Sequence, residues 1–279
     1  MRATRTAKPY FQVMRFLLIP ACAVSLTGTA LAQEDVAPKI DLSQFPANEV
    51  NDVVVPVPSE IFVVLDKLGT PNWRAEYVDT PAKPPADRAR IAILLGTVIA
   101  NGFVAVQAQD SERVKEIGKE VLRLAEAINV RKAVIGRSKS ITEKADQKKW
   151  LAVREEFDGA LQDVRSAMSE LNDEALAQLV SLGGWIRGTQ ALTSIVQKGY
   201  SKEGAELLHQ PRLIDYFSEQ IDVMPSRLRK AELVSEIRKT LDQIKPLVGK
   251  EDGSKISPES VKRINALTTE IVNKITNPE

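Results

Sequence analysis

Arg187 is the single charged residue in the stretch 176–196, whose other side chains are apolar, small or uncharged. A guanidinium in such surroundings needs a partner, because an unpaired buried charge is strongly destabilising. Trp185 stands two residues before it, Gln190 one turn after it and Thr193 on the next turn. Asn101 and Gln107, the amide side chains of a second apolar stretch, are placed to approach from a neighbouring helix. Two arrangements satisfy the charge. In one, Arg187 with Asn101, Gln107, Trp185 and Gln190 lines a pocket for a small anion or carboxylate. In the other, the guanidinium reaches the surface or pairs with a core acid and fixes the register of the helices.

Other chemistry is less well supported by residue type and spacing. Glu206 and His209 form a Glu-x-x-His, half of a helical di-iron site, but the second half needs another His and the chain has only one. Pro211 also interrupts the helix just after it. A b-type haem between His209 and Met168 or Met224 has no positive support. Asp215 with Glu219, and Glu155 and Glu156 near Asp158, are carboxylate groupings that read as solvated helix faces, without an acid-rich loop for Ca²⁺. Gly183-Gly184-Trp185-Ile186-Arg187-Gly188 lies in a helical pattern with no strand before it, so it is not a phosphate loop. One Cys and one His leave no zinc site, haem-attachment motif or Cys/His dyad to build. The chain reads as a non-enzyme with no metal and no cofactor.

The elements that must position Arg187 are helices. Stretch 91–108 has no charge and 176–196 has one, so both belong in the centre of a core rather than at its surface. Each carries small residues in rows: Ala92, Gly96 and Ala100 in the first, and Ala177, Ser181, Gly184 and Gly188 in the second. Interior helical glycines cost about 1 kcal/mol each relative to Ala, and close approach of the two helix axes along this seam compensates. Around them, Val114, Ile117, Val121, Leu124 and Ile128 form a stripe at helical spacing. So do Phe157, Leu161, Val164, Met168 and Leu171, and later Leu228, Ala231, Val234, Ile237, Leu241 and Ile244. Val261, Ile264, Leu267, Ile271 and Ile275 complete the set, and the last two stripes predict a helical hairpin over 226–276. Ser140 with Glu143 fits a capping box, Asn172 precedes Asp173 and Glu174, and Ser257-Pro258-Glu259 offers an N-cap followed by a first-turn proline. The fold class is therefore all-α: a bundle of about seven or eight helices, two of them central and apolar, over a single domain at 86–279. Leu95-Gly96-x-x-Ile99 recurs as Leu182-Gly183-x-x-Ile186, and Lys115-Glu116-Ile117-Gly118 is echoed by Lys202-Glu203-Gly204, both at the same offset. Duplication and coincidence both account for so short a match.

Two segments precede the bundle. Arg2, Arg5, Lys8 and Arg15, an apolar run from Phe16 to Leu26, and Ala30-Leu31-Ala32 before Gln33-Glu34-Asp35 make up the three parts of a secretory signal peptide at 1–32, cut after Ala32. Lipid attachment at Cys22 is the alternative, weakened by Pro20 and by the short apolar stretch it would leave. Eight of the 15 prolines fall between Pro38 and Pro85, so 33–85 reads as an extended, irregular strap or tether. It contains one short helix, from Ser59 to a stop at Gly69, and Val53-Val54-Val55, a strand-like run without an evident partner.

The whole chain carries 38 basic and 37 acidic residues; without the four basic side chains of the signal it has 34 against 37. That balance, with sparse aromatics not interleaved with Lys or Arg, argues against nucleic acid as a partner. The expected protein is exported to the periplasm or beyond, monomeric or homodimeric, without a membrane span in its mature part, and held together by its core without disulfides. Its expected role is a binding or structural one in the bacterial cell envelope, toward a protein partner. The alternative is a small-ligand binding protein with the pocket around Arg187.

Overall fold

The computed structural model describes residues 47–50, 53–56, 71–249 and 255–277. The signal peptide with Ala30 and Ala32, Cys22, and the short helix expected over 59–69 lie outside the described residues.

Two short strands, β1 (Ala47–Val50) and β2 (Val53–Pro56), pair antiparallel, with Val50 opposite Val53 and Ala47 opposite Pro56. The valine run thus has a partner that its sequence did not advertise, since β1 is Ala-Asn-Glu-Val, poor in β-branched residues. The rest of the described chain is helical. Eight long helices and two single turns follow one another: α1 (Arg88–Gln107), α2 (Ser111–Ala127), α3 (Arg131–Asp146), α4 (Trp150–Glu170), α5 (Glu174–Lys198), α6 (Lys202–Glu206), α7 (Pro211–Val223), α8 (Ser226–Arg229), α9 (Glu232–Ile244) and α10 (Pro258–Thr276). A 3₁₀ turn at Trp73–Glu76 precedes α1.

The first five helices are joined by three-residue reversals that repeat one design. Gln109, Asn129, Lys148 and Asn172 each adopt positive φ at the centre of their loop. The next amide then reaches back five residues, as Asp110 N–H to Ala105 O and Asp173 N–H to Met168 O. This is the Schellman arrangement, which satisfies helix-end carbonyls and turns the chain through about half a circle. Four such reversals leave α5 running parallel to α1. Contacts between the pair keep nearly constant offset: Arg88 with Asp173, Thr97 with Gly183 and Asn101 with Arg187.

α1 and α5 form the centre. Every α1 residue from Ile91 to Gln107 is buried, which is why an apolar stretch of membrane-spanning length belongs in this core. α2, α3 and α4 wrap one side, α10 packs along α5, and α7 and α9 complete the outer layer. The stripe Val114, Ile117, Val121, Leu124, Ile128 is entirely buried, as is Val261, Ile264, Leu267, Ile271, Ile275. Leu171, at the end of the α4 stripe, is half exposed. α9 and α10 pack as the expected C-terminal hairpin, although Leu228 and Ala231 belong to a separate turn and its junction rather than to α9. Ser257 caps α10, accepting from Ser260 N–H, with Pro258 at the first helical position. Two expected caps are corrected. Ser140 and Glu143 lie inside α3, and Ser140 bonds Glu156 across to α4; Asn172 is the left-handed residue that ends α4, not the start of α5.

The seam itself is backbone against backbone. A Cβ at Gly96 would lie 1.8 Å from Val180 O, and a Cβ at Gly183 2.0 Å from Ile93 O. Gly184 sits opposite Gly96 at ordinary contact distance. Gly188 is not in the seam: a Cβ there would meet nothing within 4 Å. Five residues beyond Gly183, it has rotated away at about 100° per residue. Gly183, absent from the expected row of small residues, is the second point of closest approach. The two contacts are reciprocal, each glycine touching the carbonyl three residues before the other, so the Leu-Gly-x-x-Ile echo marks a local two-fold relation between parallel helices. The second echo has no such counterpart, since Gly118 lies within long α2 and Gly204 within the single turn α6.

Gly96→Ala is therefore expected to lower stability by about 3 kcal/mol through backbone overlap. Gly188→Ala should raise it by up to about 1 kcal/mol through helix propensity. Urea unfolding of the two variants beside the parent checks the contrast.

Candidate functional site

The charge in α5 is fully buried: Arg187 has no exposed surface. Each of its nitrogens finds an acceptor within the chain. Nε donates to Asn101 Oδ1 at 2.6 Å from α1, Nη1 to Gln190 Oε1 at 2.7 Å one turn along α5, and Nη2 to the backbone carbonyl of Glu76. Burial pulls the guanidinium down to about 10, opposed by the nearby Glu76 carboxylate, and so leaves it charged at neutral pH. Of the two arrangements open to Arg187, neither is met in full. The guanidinium is not at the surface, and the core acid beside it supplies its carbonyl oxygen rather than its carboxylate.

Glu76 belongs to the irregular segment 71–87, which lies over α1, α2 and α5 as a strap. Its backbone is held through carbonyl oxygens. Asn101 Nδ2 donates to Val78 O at 3.3 Å, Arg113 Nη2 to the same oxygen at 3.2 Å, and Arg123 Nη2 to Pro81 O at 3.0 Å. Asn101 thus serves both sides, its oxygen taking Arg187 and its nitrogen giving to the strap. Side chains add to the grip. The Glu76 carboxylate, itself buried, pairs with Lys198, which stands three turns after Arg187 on the same face of α5. Asp110 accepts from Tyr77 at 3.2 Å and pairs with Arg74 at 2.8 Å, while the Arg113 guanidinium lies 5.6 Å from the centre of the Tyr77 ring. Thr80 donates to Glu120. Trp73 is buried at the strap's leading end.

The expected site residues separate into two groups. Asn101, Arg187 and Gln190 come together. Trp185 does not join them: two residues from Arg187 it projects from another side of α5, donates Nε1–H to Gln210 at 3.0 Å and packs against Phe217. Gln107 lies nearly two turns further along α1, buried near its end and not among the partners of Arg187. Glu76, Arg113, Arg123 and Lys198 escaped the sequence reading. On α2 the signal was present, for Asp110, Arg113, Glu120 and Arg123 recur at one-face spacing, but so charged a row reads as solvated.

Elsewhere, His209 Nδ1 lies 2.9 Å from Val248 O, so that nitrogen carries the proton and donates to the carbonyl. Glu156 sits among Arg137, Ser140 and Lys144, whose bonds lower it below the ordinary carboxylate range against the opposing effect of burial. No cluster of three or more metal-ligating side chains occurs among the described residues. Comparison with protein-family models, with curated proteins and with solved structures gave no significant match for this chain.

Two outcomes follow. Arg187→Met removes three donors from buried acceptors and should lower stability by about 3 kcal/mol; equilibrium denaturation reads this directly. Burial, followed by the neighbouring Asp110, raises the Tyr77 phenol to about 12. Folding therefore favours the protonated phenol, and that stabilisation is present below pH 10 and lost as the pH rises through about 12. Burial raises the Tyr216 phenol as well, so an absorbance titration should show two late-ionising tyrosines, and Asp110→Asn should bring the Tyr77 component down.

Proposed function

We propose that the mature chain is an exported helical binding or structural protein of the bacterial cell envelope that acts by contact with another protein. The observation that carries this reading is that the seam between α1 and α5, where a small-ligand pocket would lie, is filled by the chain itself. The helices touch backbone to backbone at Gly96 and Gly183, and the three nitrogens of Arg187 are each engaged by the chain's own oxygens. An anion at Arg187 would have to replace Glu76 O, Asn101 or Gln190. Large apolar side chains meanwhile stand open on the outer helices, Leu151 at 68% exposure on α4 and Val223 at 77% at the end of α7. They are suitable places to look for a partner.

The test combines mass and cross-linking on the chain expressed in a bacterium. The recovered polypeptide should begin at Gln33, and its native mass should be an integer multiple of the bare chain. Photo-reactive residues at Leu151 and Val223 should trap a discrete protein in the periplasmic or membrane fraction. A retained small molecule that disappears in Arg187→Met, or a chain that keeps residues 1–32 in the cytoplasm, would overturn the reading.

A further inference from the structure

We propose that the groove between α1, α2 and α5 is a peptide-binding site, and that the strap is its resident ligand in cis. Its ligand class is an extended, proline-containing peptide with an aromatic anchor followed three residues later by an acid. This deepens the protein-binding role above, on which it rests for the existence of a partner, by naming what the partner would present.

The chemistry of the groove is one-sided. Along residues 76–81 it offers donors to the backbone: Arg187 to Glu76 O, Asn101 and Arg113 to Val78 O, and Arg123 to Pro81 O. Such a set suits a chain that shows carbonyls but is poor in N–H groups, which is what proline produces. The strap conforms, with Pro71, Pro81, Pro84 and Pro85. At Tyr77 the backbone has φ −65° and ψ 137°, the polyproline conformation. Specificity comes from side chains at fixed spacing: Trp73 buried at one end, the Glu76 carboxylate on Lys198, and the Tyr77 hydroxyl on Asp110 beneath Arg113. This resembles the way proline-rich segments are read elsewhere, by a preformed extended backbone with a few side-chain pockets.

A second observation comes from the far end of the groove. Arg123 Nη1 is buried and has no hydrogen-bond acceptor among the described residues, although Nη2 of the same group holds Pro81 O and pairs with Glu120 at 3.2 Å. The strap therefore leaves a buried donor unused just where it turns toward Asp87, the cap of α1. A peptide that continued straight on could supply that acceptor. Tethering gives the strap a high local concentration, so a peptide in trans competes only when the tether is cut or the strap is weakened.

The experiment uses the full mature chain, 33–279, with a protease site inserted between Ala82 and Lys83. After cleavage, fragment 33–82 should remain bound to a bundle whose helical signal is unchanged. A fluorescent peptide of residues 71–82 should then displace it at one per chain, while the same residues in scrambled order should not. Arg123→Ala should weaken the peptide by at least about tenfold, as loss of one charge-assisted bond implies. Loss of helical signal on cleavage would make the strap a part of the core rather than a ligand. A fragment that no peptide displaces, or equal binding of the scrambled peptide, would also overturn the proposal. Failure of cross-linking in the envelope with peptide exchange intact would remove the proposed cellular role and leave the groove standing; the reverse result would remove the groove alone.

Discussion

The structure depends on one buried positive charge. Arg187 lies at the middle of the most apolar part of the molecule, where water cannot solvate it, so every nitrogen must be given a protein oxygen. Those oxygens come from three places far apart in sequence: the next turn of α5, Asn101 on α1, and the carbonyl of Glu76 in the strap. A single side chain thereby specifies how two helices and an irregular segment sit together. Closing loops of that length is entropically unfavourable, and the desolvation that would follow from leaving the guanidinium unmatched outweighs it. A strap shifted by one residue would present an amide N–H or a side chain where Nη2 needs an acceptor. The charge therefore sets the register of the strap more strictly than packing of Trp73 alone would.

The dryness around Arg187 follows from the glycines. With Gly96 and Gly183 at the crossing, α1 and α5 approach until backbone meets backbone, and Thr97 Oγ1 bonds both Ile93 O at 3.0 Å and Gly183 O at 3.3 Å. Both glycines weaken their own helices; the contact they permit supplies packing that no larger side chain could. The four left-handed reversals bring this about by returning α5 to the direction of α1, with Arg88 and Asp173 paired at 2.7 Å where both helices begin.

Much of this was legible in the amino-acid sequence, and the failures have identifiable causes. Helices with one apolar stripe announced themselves because burial selects every third or fourth residue. The charge-free stretch and its one-arginine counterpart identified the central pair. Asn101 and Gln190 were rightly grouped with Arg187, because amides are what an apolar helix can offer a cation. Trp185 was placed by nearness in sequence, which on a helix is a poor guide to direction, and Gly188 by a row of small residues of which only part faces α1. The partner of the valine strand and the grip on the strap went unseen for a different reason: both depend on backbone oxygens, which carry no residue signature. The charged row on α2 was visible but ambiguous, since a solvated face and a face turned to a polar strap have the same composition.

Arg187 ties the strap to the helix pair. Native-state amide exchange tests it most directly, followed residue by residue in the parent chain and in Arg187→Lys, which keeps the charge and loses the planar fork. The hydrogen-bonded amides of the turn at 73–77, Trp73, Ala75 and Tyr77 among them, should lose protection in the variant while those of α1 facing the glycine seam keep theirs. Unchanged protection of the turn amides at 73–77 with Arg187→Lys still folded would contradict this, and would mean that Trp73 and the outer ion pairs hold the strap without the buried charge.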